Sequence, residues 1–449
     1  DLVRSRGLGD VYKRQAINSY ASRKGNLPIY LLIDEYDNFT NTILSTYGTE
    51  YYQKATHGEG FVRGFFNVIK AATTGTGSAL QRMFITGVSP VTMDDVTSGF
   101  NIGTNITTDP WFNDLVGFSE AELREMLTYY KEQGVLMQTV DETIVMMKPN
   151  YDNYCFSEEK LAQCMFNSDM ALYFMKSFVL HHVKPKEIVD PNIRTDFNKL
   201  AYLIRLDHGL GENFSVIKEI AEQGEITTDI ATHFSALEMT DVRNFKSLLF
   251  YFGLLSIKGV DMVGRPILHV PNLVVREQLF SFLIRGYIKH DIFKIDMNRM
   301  TMLFENMAFR GDWKPLFNFI AEAIREQSRI REYIEGEAHI KGFLLAYLGM
   351  YRYYQLYPEY ELNKGFADFL FKPSPSVPVM PPLTYLLEVK YAKAGTSEKE
   401  IRALADEARE QLLRYSQDEL VAEAKAKGGL KLITIVWCSW ELVLLEEVL

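Results

Sequence analysis

The chain has 449 residues, 47% hydrophobic and 24% charged, a globular composition with room for roughly two to four domains. A formal net charge of −10 excludes a global basic field for recruiting nucleic acid, so any DNA contact has to come from a local patch. No apolar run reaches the roughly 18 residues that span a bilayer. The three cysteines, Cys155, Cys164 and Cys438, lack metal-ligand spacing and read as reduced thiols of a cytoplasmic protein.

Residues 1–15, "DLVRSRGLGDVYKRQ", have neither helical nor strand period. "SRGLGDVYKRQ" looks like a sequencing-library adapter translated in frame, so an assembly artefact joined to a gene fragment is expected there. The other reading is a flexible basic leader; a targeting peptide would be richer in Ser and poorer in acid.

Residues 16–118 alternate helix and strand. In "LPIYLLIDEYDN" an apolar run, Ile29 to Ile33, leads into Asp34 and Glu35, as when a buried parallel strand delivers carboxylates to a sheet's C-terminal edge. It reads as a Walker B strand, with Asp34 holding Mg²⁺ through water and Glu35 orienting the attacking water. The competing reading is an acidic strand end that caps the next helix through Asp37. "GFVRGFFNVIKAAT" predicts a helix with Phe61, Phe65, Val68 and Ile69 on one face. "RMFITGVSPV" predicts a second strand, whose tip places Thr86 or Ser89 near the γ-phosphate of ATP. Strand, helix and strand imply a parallel βαβ unit. No G-x-x-x-x-G-K-[ST] loop precedes it, and "TTGTGS" lacks the lysine and reads as a plain turn. A truncated ATPase core is therefore expected, its phosphate loop upstream and its own ATP binding weak.

Residues 119–196 read as a helical lid or linker, opened by a Ser119–Glu122 capping box and a Leu123, Met126, Leu127 stripe. Residues 197–290 hold helices and then "GLLSIKGVDMVGRPILHVPN", a hairpin around Asp261 to Gly264. That order fits either a winged-helix-like module or a generic helical linker with one hairpin. His57 reads as a turn residue, and adjacent His181 and His182 as a helix end. The aromatic runs "YRYYQLY" and "LFNFIAEAI" fit helix packing.

Residues 291–449 begin helical and become α/β after Leu348. "YELNKGFADFLFK" and "TYLLEVKYAK" read as strands joined by the Pro-rich "KPSPSVPVMPPL". An amphipathic helix, "SEKEIRALADEAREQLLRYSQ", and strands in "LKLITIVWCSWELVLLEEV" follow. Glu388 and Lys390 are two apart on a strand and share a face. A neighbouring strand bearing Asp368 would complete a pair of Mg²⁺-binding carboxylates, Asp368 and Glu388, with Lys390 positioning the nucleophilic water. Glu337 is a further candidate acid, and Gln411 and Tyr415, four apart on a helix, would line the same cleft. The competing reading is a solvated edge strand.

The set Asp368, Glu388-x-Lys390 and Gln411-x-x-x-Tyr415 is similar to the PD-(D/E)XK nuclease pattern, with Ala367 where the name has proline. "LLIDEYDN", "FITGVSPV", "SGFNIGTNIT", "GFSEAELREML", "YDNYCFS", "NSDMALYF" and "FKSLLFYFGLLSI" occur in one order. Over residues 16–449 that series resembles the AAA-ATPase-like family of bacterial proteins, frequent in gut Bacteroidetes. The resemblance implies an α/β multidomain chain: a partial P-loop-type parallel ATPase core, a helical middle with a winged-helix-like module, and a PD-(D/E)XK nuclease-like domain. It also implies Mg²⁺ and ATP as cofactors, DNA as partner, a cytoplasmic location and no membrane, and leaves oligomerisation open. Two functions compete: an ATP-gated, Mg²⁺-dependent nuclease, and a non-catalytic regulatory ATPase whose degenerate nuclease fold binds nucleic acid or protein.

Overall fold

A computed structural model describes residues 27–73, 78–96, 102–181, 212–289, 296–326, 336–349, 353–363, 365–374 and 379–448, with the short pieces 15, 18–21, 23–25, 185, 351 and 377. The leader, His182 and most of the "TTGTGS" turn lie outside the described residues.

The aliphatic run Ile29–Ile33 forms β1, which pairs in parallel with β2 (Leu80–Ile85). Between them run α1 (Asn38–Tyr47), α2 (Thr49–Thr56) and α3 (Phe61–Thr73). The buried face of α3 is Val62, Phe66, Ile69 and Ala72, which keeps Ile69 of the expected stripe but takes Val62 and Phe66 in place of Phe61 and Phe65, and Phe61 is 75% exposed. Adjacent apolar pairs at 65–66 and 68–69 allow either phase. Phe66 wins by packing edge-on against Tyr36, with centroids 6.4 Å apart. Past the strand ends the ladder continues: Thr86 N donates to Ile33 O at 2.8 Å and Tyr36 N to Thr86 O at 3.0 Å. A Cβ on Gly87 would stand 2.3 Å from the Tyr36 ring and 2.7 Å from Asp37 Oδ1, so the strand crossing needs glycine there. The next helix, α4 (Val91–Val96), carries buried Asp95. Its Oδ2 accepts from Tyr52 Oη at 2.8 Å and from Ala236 N, far along the chain, at 2.9 Å.

Capping boxes at Ser119–Glu122 and Thr139–Glu142 start α5 (Glu120–Glu132) and α6 (Val140–Tyr151). These pack with α7 (Ser168–His181) around Leu123, Leu127, Ile144, Met147 and Phe174, with Met126 half-buried at the margin. His181 ends α7. A second unit runs α8 (Glu212–Gln223), β3 (Glu225–Thr227), α9 (Val242–Tyr251), β4 (Ser256–Val260) and β5 (Pro266–His269). Its antiparallel order β3-β5-β4 behind the helices is a winged-helix arrangement. Asp261 Oδ1 closes the wing turn by accepting from Val263 N and Arg265 N, both at 2.9 Å. Then α10 (Leu273–Lys289), α11 (Met297–Arg310), α12 (Lys314–Glu326) and α13 (Glu337–Leu348) lead to the C-terminal sheet.

That sheet comprises β6 (Tyr354–Leu362), β7 (Gly365–Pro373), β8 (Thr384–Ala392), β9 (Leu430–Cys438) and β10 (Glu441–Glu447), in the order β10-β9-β8-β7-β6. Only β8 and β9 pair in parallel, and α14 (Glu398–Tyr415) and α15 (Glu419–Ala426) make their crossover. "YELNKGFADFLFK" is not one strand: it breaks at Asn363, which takes φ 44°, into the β6–β7 hairpin. "YRYYQLY" enters β6 rather than a helix, because buried Tyr354 and Leu356 alternate with half-buried Gln355 and Tyr357. "LFNFIAEAI" is helical, in α12. One sheet face buries Leu370 and Leu386 under Leu412 and Tyr415 of α14. The other sets Phe369, Phe371, Tyr385, Leu387 and Val389 against Met307, Ile320 and Ile340 of the preceding helices.

Gly87→Ala should lower the urea midpoint of the full chain by the equivalent of about 1–3 kcal/mol, the usual cost of overpacking. An unchanged midpoint would contradict the tight crossing against Tyr36.

Candidate active site

The register of the C-terminal sheet sets up its chemistry. Pairs Pro358↔Phe369 and Tyr360↔Ala367 place Glu359 opposite Asp368. Continuing Phe369↔Leu387 by one residue places Asp368 opposite Glu388, and Glu388 pairs with Thr434. Lys341 meets both Asp368 and Glu359, and the charge of Asp368 acts on Glu388, so three acids of β6, β7 and β8 stand close together, with Glu359 at a left-handed φ of 44°. Like charges so placed repel, and two lysines offset them. Lys341 of α13 forms an ion pair with Asp368 and lies 2.8 Å from Glu337 and 3.1 Å from Glu359. Lys390 lies 3.3 Å from both Glu388 Oε1 and Glu407 Oε1. Asp368 also takes the place of a ladder carbonyl, its Oδ2 accepting from Val389 N at 2.6 Å.

Asp368 and Glu388 are 4% and 3% exposed. Burial, with the neighbouring charge of Asp368, pushes the Glu388 carboxyl up to about 8 against the pull of Lys390. Burial likewise pushes Asp368 up to about 6, although Lys341 draws it down. Burial works against the charge on Lys341, but Asp368, Glu337 and Glu359 raise its pKa above the ordinary lysine value. Three buried oxygens near the row have no hydrogen-bond partner: Glu388 Oε2, Gln411 Oε1 and Thr434 Oγ1.

Of the C-terminal residues singled out from sequence, Asp368, Glu388, Lys390 and Glu337 therefore share one network. Gln411 sits one helical turn beyond Glu407, with its amide oxygen buried. Tyr415 is placed differently: it lies against Gly365, where a Cβ would come within 2.6 Å of its ring, and its hydroxyl accepts from Arg414 at 3.3 Å. It braces the start of β7. Lys341, Glu359 and Glu407 escaped the sequence reading. Lys341 was within reach of it, being four residues after Glu337 on one helix face.

At the other end of the chain Asp34 and Glu35 are exposed beyond β1. Asp34 Oδ1 accepts from Thr86 Oγ1 and from Glu35 N, so Asp34 and Thr86 meet at the tips of the parallel strands. Glu35 takes φ 49°, and its Oε2 accepts from Asn38 Nδ2 at 2.9 Å. Ser89 is buried and its hydroxyl faces Asp37 at 3.4 Å. Buried Asp37 gathers Val88 N at 3.0 Å, Ser89 N at 3.1 Å and Asn41 Nδ2 at 2.8 Å. Its side chain makes no capping bond to α1 and instead holds the loop after β2.

Among the described residues no group of three or more His, Cys, Asp or Glu side chains is arranged to hold a metal ion. Mg²⁺, however, usually takes one or two carboxylates and keeps several waters. Asp368 and Glu388 supply two neighbouring carboxylates, one oxygen of Glu388 unpartnered, and the Lys341 ammonium on Asp368 would have to yield to the metal.

Residues 335–447 match the family described as the PD-(D/E)XK nuclease superfamily, which spans α13 to β10 and so contains the acid row. Residues 10–97 match the family described as predicted AAA-ATPase. The chain thus joins an AAA-ATPase-like domain to a PD-(D/E)XK nuclease-like domain. No curated protein matches the chain. Among the described residues no helix is long and apolar enough to cross a membrane.

Between about 4.5 and about 8, the folded Glu388 carboxyl holds more proton than the unfolded one, so rising pH removes stability through that window. Glu388→Gln should therefore flatten the fall in Tm across the same window. A slope equal to that of the wild type would show that Glu388 is not held protonated by its surroundings.

Proposed function

We propose that the chain carries a Mg²⁺-dependent phosphodiesterase acting on DNA in the cytoplasm, joined to an AAA-ATPase-like domain whose own ATP binding is weak. The observation that carries this reading is the buried pair Asp368 and Glu388 beside Lys390, with Glu388 Oε2 unpartnered. Asp368 and Glu388 would hold the metal, with Glu337, paired to Lys341, a further acid nearby. When bound, Mg²⁺ lowers the pKa of a coordinated water and neutralises charge on the scissile phosphate. Lys390 sits two residues from Glu388 on the same face and orients the attacking water or meets charge developing on the phosphate. Gln411 presents its amide to the same cleft, while Tyr415 fixes α14 on β7. Asp34 and Thr86 form the metal and γ-phosphate edge of the ATP site, with Glu35 turning the water and Ser89 shaping the loop behind through Asp37. The match of residues 335–447 to the nuclease superfamily supports the chemistry, and the free thiols suit a reducing compartment.

The full chain with Mg²⁺ should cut linear or circular DNA, single- or double-stranded. Glu388→Ala and Lys390→Ala should each slow cutting by about 10²-fold or more, the usual effect of losing one transition-state contact. Failure to cut any DNA or RNA form with Mg²⁺ or Mn²⁺ overturns the proposal.

A further inference from the structure

Cys155 and Cys164 take no part in either site above, yet the fold brings them face to face. Tyr154 and Met165 form an isolated antiparallel bridge and exchange both backbone bonds, Tyr154 N to Met165 O at 3.1 Å and Met165 N to Tyr154 O at 2.7 Å. A pair that exchanges both bonds is followed by a non-hydrogen-bonded pair, whose Cα atoms stand about 4.5 Å apart. One step on from Tyr154 and one step back from Met165, that pair is Cys155 and Cys164. Disulfides span Cα separations of about 4.4–6.8 Å, a range that includes that ladder spacing. Cys155 Sγ is directed to Ser157 O at 3.2 Å and Cys164 Sγ to Leu161 O at 3.5 Å, and the two thiols are near enough to act on each other. The neighbouring Cys164 draws the Cys155 thiol down to about 7 against its burial, while Cys155 and burial raise Cys164.

The two cysteines differ in access. Cys155 is fully buried and anchored on both sides, its N donating to Ser256 Oγ at 2.7 Å and its O accepting from Ile257 N at 3.1 Å. Cys164 is half-buried, at the end of the excursion made by residues 156–163. The third thiol, Cys438, lies in β9 and is directed to Lys393 O at 3.3 Å.

We propose that Cys155 and Cys164 form an oxidation site, which a low-molecular-weight disulfide converts to an intramolecular cross-link. Cys164, the thiol solvent reaches, gives its proton to solvent, and its thiolate attacks one sulfur of R–S–S–R. A Cys164–S–S–R bond forms, and RS⁻ leaves. Cys155 then gives up a proton, and its thiolate attacks the Sγ of Cys164, expelling a second RS⁻. The two protons lost by the protein balance the two RSH formed; the protein pair is oxidised and the small disulfide reduced. The cross-link closes residues 156–163 into a ring. Because Cys155 O holds Ile257 N, it also fastens this ring to β4, joining the α5–α7 unit to the wing sheet.

The test uses the full chain carrying Cys438→Ser, treated with glutathione disulfide, quenched in acid, and read by thiol count and peptide mapping. Wild type is mapped in parallel, so the result does not hang on that substitution. Both thiols should vanish together, the mass should fall by two hydrogen atoms, and the native chain should react at least about tenfold faster than the urea-unfolded chain. A stable glutathione adduct on Cys164, no reaction, or a cross-link formed only in urea would overturn the site. With Cys155→Ser, glutathione should remain on Cys164; a chain that takes none there overturns the assigned order of attack.

Discussion

The C-terminal domain is arranged around one electrostatic difficulty: Glu359, Asp368 and Glu388 stand close together, two of them buried. Buried carboxylates without partners cost several kcal/mol each, so the neighbours must supply positive charge or the acids must protonate. Both responses are present. Lys341 can reach Asp368 only if α13 approaches the sheet by its first turns, which explains why that helix begins with Glu337 and turns its apolar side, from Ile340 onward, to the core. Lys390 is held from the other side by Glu407 on α14, and Glu388 retains a raised pKa because burial and the charge of Asp368 outweigh the pull of Lys390. The same imbalance that costs stability leaves an oxygen ready for a cation.

The acids were legible in the sequence because a strand has period two, which puts Glu388 and Lys390 on one face wherever the strand lies. Asp368 followed from an apolar run of the same kind. What the sequence withheld is register. Glu359 faces Asp368 only because the chain reverses at Asn363, and reading "YELNKGFADFLFK" as one strand hides that reversal. A left-handed residue at 363 rather than a glycine gives little local warning. The α3 face was misplaced by one residue at its first two positions for a similar reason: two apolar pairs satisfied two helical phases, and only the tertiary contact with Tyr36 chose between them. Tyr415 shows the limit from the other side. Its spacing from Gln411 was correct for a shared helix face, but the helix runs on past the acids, so its ring lands on Gly365.

The strand tips at the front show how one acidic stretch divides its labour. Asp34 and Asp37 are three apart at the end of a strand, yet Asp34 stays exposed against Thr86 while Asp37 is buried and gathers four donors. Between them the chain turns at Glu35, which takes φ 49°, and the two carboxylates take different partners in the segment after β2. One is left for solutes and the other ties down the loop that presents Thr86. Gly87 allows this by letting the Tyr36 ring lie directly on the chain.

Asp95 has a consequence of a different kind. A single carboxylate oxygen accepts from Tyr52 in the AAA-ATPase-like domain and from the backbone of Ala236 in the winged-helix unit. An oxygen serving two masters behaves as a rivet rather than as two independent links. A displacement of α2 that turns the Tyr52 hydroxyl away changes the electron density offered to Ala236, and a shift of the segment before α9 is felt at Tyr52. Asp95 Oδ2 is thus a single atom that both units hold at once.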